Sequence, residues 1–237
     1  MIPPASDRSK ESDRWSVERY TQWVQQQPFD PSNLFELVEG KVHPLPNSAE
    51  LMRMIRLLQC QLQHCFSSRF TFDSHHQPSL AVQVRSSLQL DNFNQLQPAI
   101  LVGEDRTEAV KSIPSVESKP LWIIDIAEGS LNPLLNSPMV SHHERARLYA
   151  RAGVLDYWWL DLDGVELHVY QQPNESGYQA YKLLQVGEQA APTTVPLALR
   201  VKEPVPIYFM TRTLKGQQAY ESSVLPLSIK ADRSLAF

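Results

Sequence analysis

The chain has 237 residues, of which 42% are hydrophobic and 20% charged, so it can bury a core and is not a disordered chain. Its formal charge of −4 argues against a surface that is basic throughout, as general binding to nucleic acid would require. Two cysteines exclude a disulfide scaffold, and neither a secretory signal nor a run of ~20 apolar residues is present, so we expect a cytoplasmic protein with no membrane partner.

The first part of the chain predicts two helices and a hairpin. We expect residues 1–14 to form a flexible leader and residues 15–237 a single domain. The spacing of apolar residues predicts a helix over 16–26, and alternation around Gly40 predicts a hairpin over 35–42. A longer helix is predicted over 49–66, because apolar residues recur there in one continuous stripe: Leu51, Ile55, Leu58, Leu62 and Cys65.

The rest of the chain predicts strands and one further helix. Strands are expected over 69–72, 80–84, 98–102, 121–127, 157–162, 165–170, 178–184 and 197–201. The run 121–127 is nearly all apolar, which is typical of a strand buried on both faces. Ser141 and Glu144 form a capping box for a helix that ends at Gly153. The polar stretch 103–119 predicts an exposed loop. This order of elements predicts a mixed α/β fold in which helices pack on a mixed sheet.

Several groups that could bind metal are better interpreted as ordinary side chains. Cys60, His64 and Cys65 lie within one predicted helix and cannot converge with a fourth ligand, which favours packing. The doublets 75–76 and 142–143 are adjacent histidines whose side chains we expect to diverge into solvent. The sequence offers no phosphate loop or nucleophile elbow, and we expect no small-molecule cofactor.

Two carboxylates and one arginine stand out because they interrupt apolar elements. Asp125 lies within the buried-looking run 121–127, Glu36 lies between Phe35 and Leu37, and Arg145 lies in the first turn of the capped helix. A buried carboxylate costs several kcal/mol unless it is paired or bound to metal. Two interpretations stay open: a divalent metal site beside a phosphate, and an ion pair between Asp125 and Arg145, which these residues alone favour.

The sequence resembles a known family along most of its length, from about Trp15 to Phe237. The resemblance rests on YARAGV followed by DYWWLD, and on further segments in family order: 35–42, 97–102, 120–126, 145–154, 156–161 and the tail 224–237. These segments resemble the Uma-type restriction endonucleases of the PD-(D/E)XK nuclease superfamily. The resemblance implies a restriction-endonuclease-like mixed β-sheet flanked by α-helices, with a Mg²⁺ site at the edge of the sheet that hydrolyses phosphodiesters in DNA.

The same resemblance implies a site with three substitutions. Glu36 matches the upstream glutamate of the family, but Ala99 stands where the family has its metal-binding aspartate. Asp125 replaces the glutamate and Arg145 replaces the lysine that activates water. The resemblance therefore implies Glu36, Asp125 and Arg145 as the catalytic residues and Glu36 and Asp125 as ligands of Mg²⁺. Leu51 occupies a position where the family often has histidine.

The loss at position 99 leads us to expect weakened or lost catalysis. An alanine supplies no oxygen, and an arginine cannot give up its proton to activate water. Nearby carboxylates that could substitute are Asp91, Glu104 and Asp105. Two functions stay open: an impaired Mg²⁺-dependent DNA endonuclease, and a non-catalytic nuclease-fold protein that acts as a binding or assembly module.

The sequence leaves two classes of partner open. DNA is one possible partner, with two basic clusters available: Arg53 and Arg56, and the group Arg145, Arg147 and Arg151. A protein partner or a second copy of the chain is the alternative. Aromatic and apolar residues at 158–159 and 204–210 are candidates for such a contact, although we expect them to be core or edge-strand residues.

Overall fold

The computed structural model describes residues 14–28, 34–69, 80–104, 120–127, 140–162, 164–185, 188–193, 197–201, 206–212, 218–224 and 227–231. The helices within these segments are α1 (Val17–Gln26), α2 (Ala49–Arg69) and α3 (His142–Arg151). The strands are β1 (Phe35–Val38), β2 (Lys41–Pro44), β3 (Leu80–Val84), β4 (Leu88–Asp91), β5 (Asn94–Leu96), β6 (Ile100–Glu104), β7 (Trp122–Ala127), β8 (Asp156–Asp161), β9 (Glu166–Asn174), β10 (Gly177–Leu184), β11 (Gln189–Ala190), β12 (Leu197–Val201), β13 (Pro206–Arg212), β14 (Gln218–Val224) and β15 (Leu227–Ala231). No helix among these residues is long and apolar enough to cross a membrane.

A six-stranded sheet with the order β10-β9-β8-β7-β6-β3 forms the centre of the described fold. Its middle pair, β7 and β8, is parallel, and its other pairs are antiparallel. Parallel neighbours need a crossover connection, and α3 lies in the chain between β7 and β8. The expected mixed sheet flanked by helices is therefore confirmed.

The two faces of this sheet are covered by different helices. Along β7, Trp122, Ile124 and Ile126 belong to the core under α2, whereas Ile123 and Ala127 belong to the core under α3. This alternation follows from the period of two in a strand. Because β7 is buried along its whole length, it shows the continuous apolar run that the sequence displays.

Helix α2 buries the predicted stripe, and its outer side is exposed. Four of the predicted positions are at most 5% exposed, and Cys65 is half-buried: Leu51, Ile55, Leu58, Leu62 and Cys65. Leu51 is fully buried in this core, at the position where the family often has histidine. In α1, Val17 and Tyr20 are buried but Val24 is 42% exposed, so the predicted apolar face is shorter than expected.

A second sheet, with the order β2-β1-β5-β4, brings β1 towards α3. The predicted hairpin turns at Glu39 and Gly40, both with positive φ, as a two-residue turn between twisted strands requires. Val38 and Leu96 contribute to the core under α3, while Leu37 faces α1. One face of β1 thus lies beside the helix that carries Arg145.

Some predicted elements differ from the structure. Residue 69, predicted to begin a strand, ends α2 instead, because the helix continues past its apolar stripe; residues 70–72 lie outside the described residues. The hairpin of β4 and β5 was not predicted. In the turn that joins the two strands, Asp91 accepts a hydrogen bond from the Phe93 amide (2.7 Å), and an aspartate that bonds to the backbone two residues later is a typical turn residue. Gly103 belongs to β6, and most of the predicted loop, 105–119, lies outside the described residues.

The C-terminal strands form small sheets of their own. The predicted strand 197–201 is confirmed as β12, which pairs with β11 and β15. Strands β13 and β14 form a separate hairpin, and part of the proposed contact segment 204–210 lies in β13. Residues 1–13 of the predicted leader lie outside the described residues. The last leader residue, Arg14, donates a hydrogen bond through its side chain to the backbone oxygen of Glu39 (3.2 Å).

Candidate functional site

Helix α3 begins and ends where its sequence predicts, and this places Arg145 against the sheet. The Ser141 hydroxyl accepts a hydrogen bond from the Glu144 amide (3.2 Å), which caps the helix. Gly153, with φ of 77°, ends the helix in a left-handed conformation. Arg145 and Tyr149 are four residues apart and therefore share the buried face of α3, where they are 6% and 0% exposed.

Two buried carboxylates approach this face from different sheets. Glu36 lies on β1 and Asp125 lies on β7, with exposures of 2% and 5%. Backbone amides of the segment before β6 hold both side chains: the Gln97 amide donates to Glu36 Oε2 (3.3 Å), and the Ala99 amide donates to Asp125 Oδ1 (3.0 Å). Positions 99 and 125 therefore meet, as the resemblance requires, but residue 99 contributes its backbone rather than an oxygen.

Arg145 lies between the two carboxylates. Its Nη2 donates to Glu36 Oε1, and its Nη1 donates to Asp125 Oδ2 (3.2 Å) and to the Tyr149 hydroxyl (3.4 Å). The Tyr149 hydroxyl lies 3.5 Å from Asp125 Oδ2, to which it donates. We call Glu36, Asp125, Arg145 and Tyr149 the Arg145 network. The predicted ion pair between Asp125 and Arg145 is confirmed, and Glu36 joins it across 109 residues of sequence.

Burial and charge act against each other within the Arg145 network. Burial raises the pKa of Glu36, while the neighbouring Arg145 lowers it and only partly offsets that rise. Burial opposes the charge of Arg145, but Glu36 and Asp125 outweigh it and hold the pKa of the guanidinium well above its ordinary value. Burial also raises the pKa of the Tyr149 hydroxyl, so this group stays protonated and available as a donor.

Two further basic side chains lie beside the Arg145 network. Arg85 donates through Nη2 to the backbone oxygen of Pro46 (2.9 Å), and burial lowers its pKa while Asp125 opposes the decrease. His43 is the register partner of Glu36 on β2, and burial lowers the pKa of its ring. Sequence reasoning missed both residues. It also missed Tyr149, although the four-residue spacing from Arg145 is a usable signal for a shared helix face.

This arrangement does not fit a Mg²⁺ ion between the carboxylates. Mg²⁺ takes six oxygen ligands at about 2.0–2.1 Å, whereas a guanidinium fills the space between Glu36 and Asp125. The oxygens of both carboxylates already accept hydrogen bonds, and Ala99 adds no side-chain oxygen. Binding of Mg²⁺ by Glu36 and Asp125, and a catalytic role for Arg145, stay predictions that require Arg145 to move.

Asp91, one of the candidate substitute carboxylates, is engaged within a turn of the second sheet. Asp91 accepts hydrogen bonds from the Asn94 side chain (2.9 and 2.8 Å) within the β4–β5 turn. Glu104 ends β6, and Asp105 lies outside the described residues. Within the described segments, no group of three or more His, Cys, Asp or Glu side chains is arranged to hold a metal ion. Cys65 packs against the core as predicted, whereas Cys60 is exposed on α2, so the packing interpretation is wrong for Cys60.

The predicted behaviour of the histidine pair 142–143 is wrong. The two Nε2 atoms lie 3.1 Å apart and the ring centroids 4.0 Å apart, so the side chains converge instead of diverging. They meet because they begin α3, where His168 and Tyr170 of β9 lie against the helix start. The doublet 75–76 lies outside the described residues.

The basic clusters are divided between the two faces of the fold. Arg53 and Arg56 are exposed on α2, whereas Arg147 and Arg151 are exposed on α3. Arg145 is buried in the network and is unavailable to a surface ligand. An open groove of about 700 Å³ beside α3 is lined by residues of both charges: Glu39, Arg147, Arg151, Glu175 and Ser176. Trp158 and Trp159 are buried, as their interpretation as core residues predicts.

Comparisons with known proteins agree with this fold. The Uma2 family, described as "Putative restriction endonuclease", matches residues 17–202. A similar solved structure is that of a "putative nuclease belonging to DUF820" from Anabaena variabilis ATCC 29413, with 16% identity and a TM-score of 0.51. The match covers 75% of this chain and 88% of that chain, and at this identity it supports the fold alone. None of the curated proteins compared matches the chain.

Proposed function

Because this chain belongs to the Uma2 family of restriction-endonuclease-like proteins, we propose that it keeps the nuclease fold as a binding or assembly module and has lost metal-dependent phosphodiester hydrolysis. One observation carries the proposal: the Arg145 guanidinium lies between Glu36 and Asp125, where a nuclease of this type needs a metal ion. The arginine supplies the positive charge that the two buried carboxylates require.

The chemistry of hydrolysis explains why this exchange matters. A metal ion lowers the pKa of its bound water and stabilises charge on the phosphate, and both effects need an open coordination position. A guanidinium stabilises charge but binds no water as a Lewis acid and accepts no proton. The Ala99 amide holds Asp125 Oδ1 (3.0 Å), so this oxygen is already engaged. The network therefore has the features of a structural ion-pair network.

A protein partner fits the exposed surface better than DNA. The groove beside α3 pairs Arg147 with Glu39 (2.8 Å) and also contains Glu175, so its charges are mixed. Exposed arginines of α2 and α3 lie on helices that cover opposite faces of the sheet, which does not favour one continuous basic groove. Polyanion binding relies on many phosphate contacts from one basic surface.

A plasmid-nicking assay tests the proposed loss of catalysis. We expect no conversion of supercoiled to open-circular DNA by the wild-type chain with Mg²⁺ or Mn²⁺. The triple variant Ala99→Asp, Asp125→Glu, Arg145→Lys restores the family residues and serves as the matched test of the pocket. If it cleaves, and Glu36→Gln in the same background abolishes cleavage, the wild-type chain is a disabled nuclease.

The remaining candidate is an active endonuclease, which the convergence of Glu36 and Asp125 favours. Its signature is metal-dependent nicking by the wild-type chain that disappears in Glu36→Gln and Asp125→Asn variants. That result contradicts the proposal, because a contaminating nuclease is insensitive to these substitutions.

Fluorescence anisotropy with duplex DNA separates the two classes of partner. A steep loss of affinity for DNA with added salt indicates phosphate contacts, and no binding of DNA at low salt favours a protein partner.

A further inference from the structure

Three histidines meet at the first turn of α3, and the proposed function makes no use of them. His142 and His143 begin the helix, and His168 lies on β9. The centroid of the His142 ring is 4.0 Å from that of His143 and 4.4 Å from that of His168. His168 is 9% exposed, His142 is half-buried and His143 is exposed. We call these three residues the histidine cluster.

Hydrogen bonds hold the rings in this arrangement. The Nε2 atoms of His142 and His143 lie 3.1 Å apart, so one nitrogen donates and the other accepts. The nitrogen that accepts this hydrogen bond carries no proton, so its ring is neutral. At most one of the two rings can therefore be positively charged in this arrangement. Tyrosine hydroxyls hold the other sides of the cluster: Tyr170 lies 3.1 Å from His143 Nδ1, and Tyr181 lies 3.0 Å from His168 Nδ1.

The cluster does not form a metal site. Two ring nitrogens converge, and no three His, Cys, Asp or Glu side chains of the described segments surround a common point. The property that the rings share is the uptake of protons, which for an ordinary imidazole occurs near pH 6.5.

The surroundings of the cluster disfavour additional positive charge. Burial, and to a smaller extent the neighbouring His143 and His168, together lower the pKa of His142 to about 4, while Asp161 of β8 opposes the decrease. Burial likewise lowers the pKa of His168, against the opposing charges of Glu166 and Asp161. Glu166 Oε2 lies 4.0 Å from His168 Nε2, which is too long for a hydrogen bond.

Two further features act on the rings, and the Glu144 carboxylate in the first turn of α3 partly offsets the second of them. Tyr170 of β9, which faces the rings, stays neutral because burial raises the pKa of its hydroxyl. The start of α3 carries the partial positive charge of a helix N-terminus. A second proton on the cluster therefore meets a neighbouring cation and the positive helix end at once.

We propose that the histidine cluster is an acid-sensitive latch, which holds the first turn of α3 on the sheet at neutral pH and releases it when the cluster takes up protons. Arg145 follows His142 by three residues, so movement of this turn also loosens the contacts of Arg145 with Glu36 and Asp125. The latch regulates the same site, but it rests on the geometry of α3 and does not depend on whether cleavage has been lost.

The size of the effect follows from proton linkage. His142 takes up a proton at about pH 4 in the closed state and near its ordinary pKa of about 6.5 once the turn opens. Opening is therefore favoured as pH falls below about 6.5, and its equilibrium constant is about 20-fold larger at about pH 5 than at about pH 7. Above about pH 7 both states are deprotonated at His142, and the latch is closed.

Hydrogen exchange on the full chain tests the latch. Amide protection in the segment 140–153 is measured by mass spectrometry at about pH 7.5 and about pH 5, corrected for the intrinsic pH dependence of exchange. We expect the protection of this segment to fall by at least about tenfold at the lower pH, while that of α2 stays constant. The double variant His142→Gln, His168→Gln should lose this response, and the exposed-site control His64→Gln should keep it.

Two outcomes overturn the proposal. One is equal corrected protection of 140–153 at both pH values in the wild-type chain, and the other is a double variant that responds like the wild type. Should the double variant fail to fold, titration of the His142 ring in the wild-type chain by NMR decides: a midpoint near the ordinary value of about 6.5 refutes the latch. None of these results depends on the plasmid-nicking assay.

Discussion

Replacing Arg145 with methionine removes the guanidinium that contacts Glu36 and Asp125 while keeping a side chain of similar length on the buried face of α3. The two carboxylates then keep only the hydrogen bonds from the Gln97 and Ala99 amides and from Tyr149. Both are at most 5% exposed, so water cannot replace the lost cation without opening the structure. We expect Arg145→Met to be strongly destabilising.

The magnitude follows from the distances and the burial of the network. At 3.2 Å, and with an effective dielectric constant of about 20, the attraction between Arg145 and Asp125 is about 5 kcal/mol before the cost of desolvation. Removing one partner of a buried ion pair leaves the other charge uncompensated and typically costs about 3–5 kcal/mol. We therefore expect the free energy of unfolding to fall by about 3–5 kcal/mol, a large part of the ~5–15 kcal/mol that is typical of a folded domain.

Urea unfolding followed by circular dichroism measures this loss. Arg147→Met is the matched control, because Arg147 lies on the same helix and pairs with Glu39 (2.8 Å), but the two side chains are 52% and 41% exposed. We expect the control to lose less than about 1 kcal/mol, as exposed ion pairs do. Adding Glu36→Gln to Arg145→Met removes one of the two orphaned charges and should recover part of the loss.

The pH dependence of Arg145→Met provides a second check. Burial already raises the pKa of Glu36 and Arg145 opposes that rise, so the variant should raise the pKa further. A carboxyl whose pKa is raised in the folded state stabilises the protein below its unfolded pKa, and this stability is lost as pH rises through the folded pKa. The difference in the free energy of unfolding between the wild type and the variant should thus shrink as pH falls from about 8 to about 5. The structural role of the network would be refuted if the free energy of unfolding of the variant lay within about 1 kcal/mol of the wild-type value, or if the difference between them did not change with pH.

Two backbone features give further predictions, both measured as changes in the urea midpoint. Ser141→Ala removes the acceptor of the Glu144 amide and should cost about 1 kcal/mol, which restoring the cap with Ser141→Asp should reverse. Gly40→Ala should cost at least about 1–2 kcal/mol, because φ is 76° and the added Cβ would lie 2.9 Å from Arg14 Cβ. Gly103→Ala is its control, since the nearest heavy atom is 3.8 Å away, and equal losses at both glycines would contradict the argument.

Local sequence patterns determine much of the fold. The apolar stripe from Leu51 to Leu62 specifies α2 because a helix must bury one face, and Ser141 and Gly153 specify the ends of α3 through backbone groups that only a cap satisfies. The run 121–127 specifies a strand covered on both faces, and burial along all of β7 confirms it. The sequence does not predict the hairpin of β4 and β5, because its strands are short and polar on one side.

The candidate site shows what sequence determines and what it leaves open. Charged side chains within apolar runs mark Glu36, Asp125 and Arg145, since buried charge needs compensation, and the pairing of Asp125 with Arg145 could be anticipated from that rule. Only the tertiary structure joins Glu36 to Arg145, because their contact spans 109 residues and depends on how two sheets pack around one helix. The same holds for His142 and His168, which meet only because β9 returns beside the start of α3. Periodicity acts over a few residues, whereas such contacts depend on strand order and register.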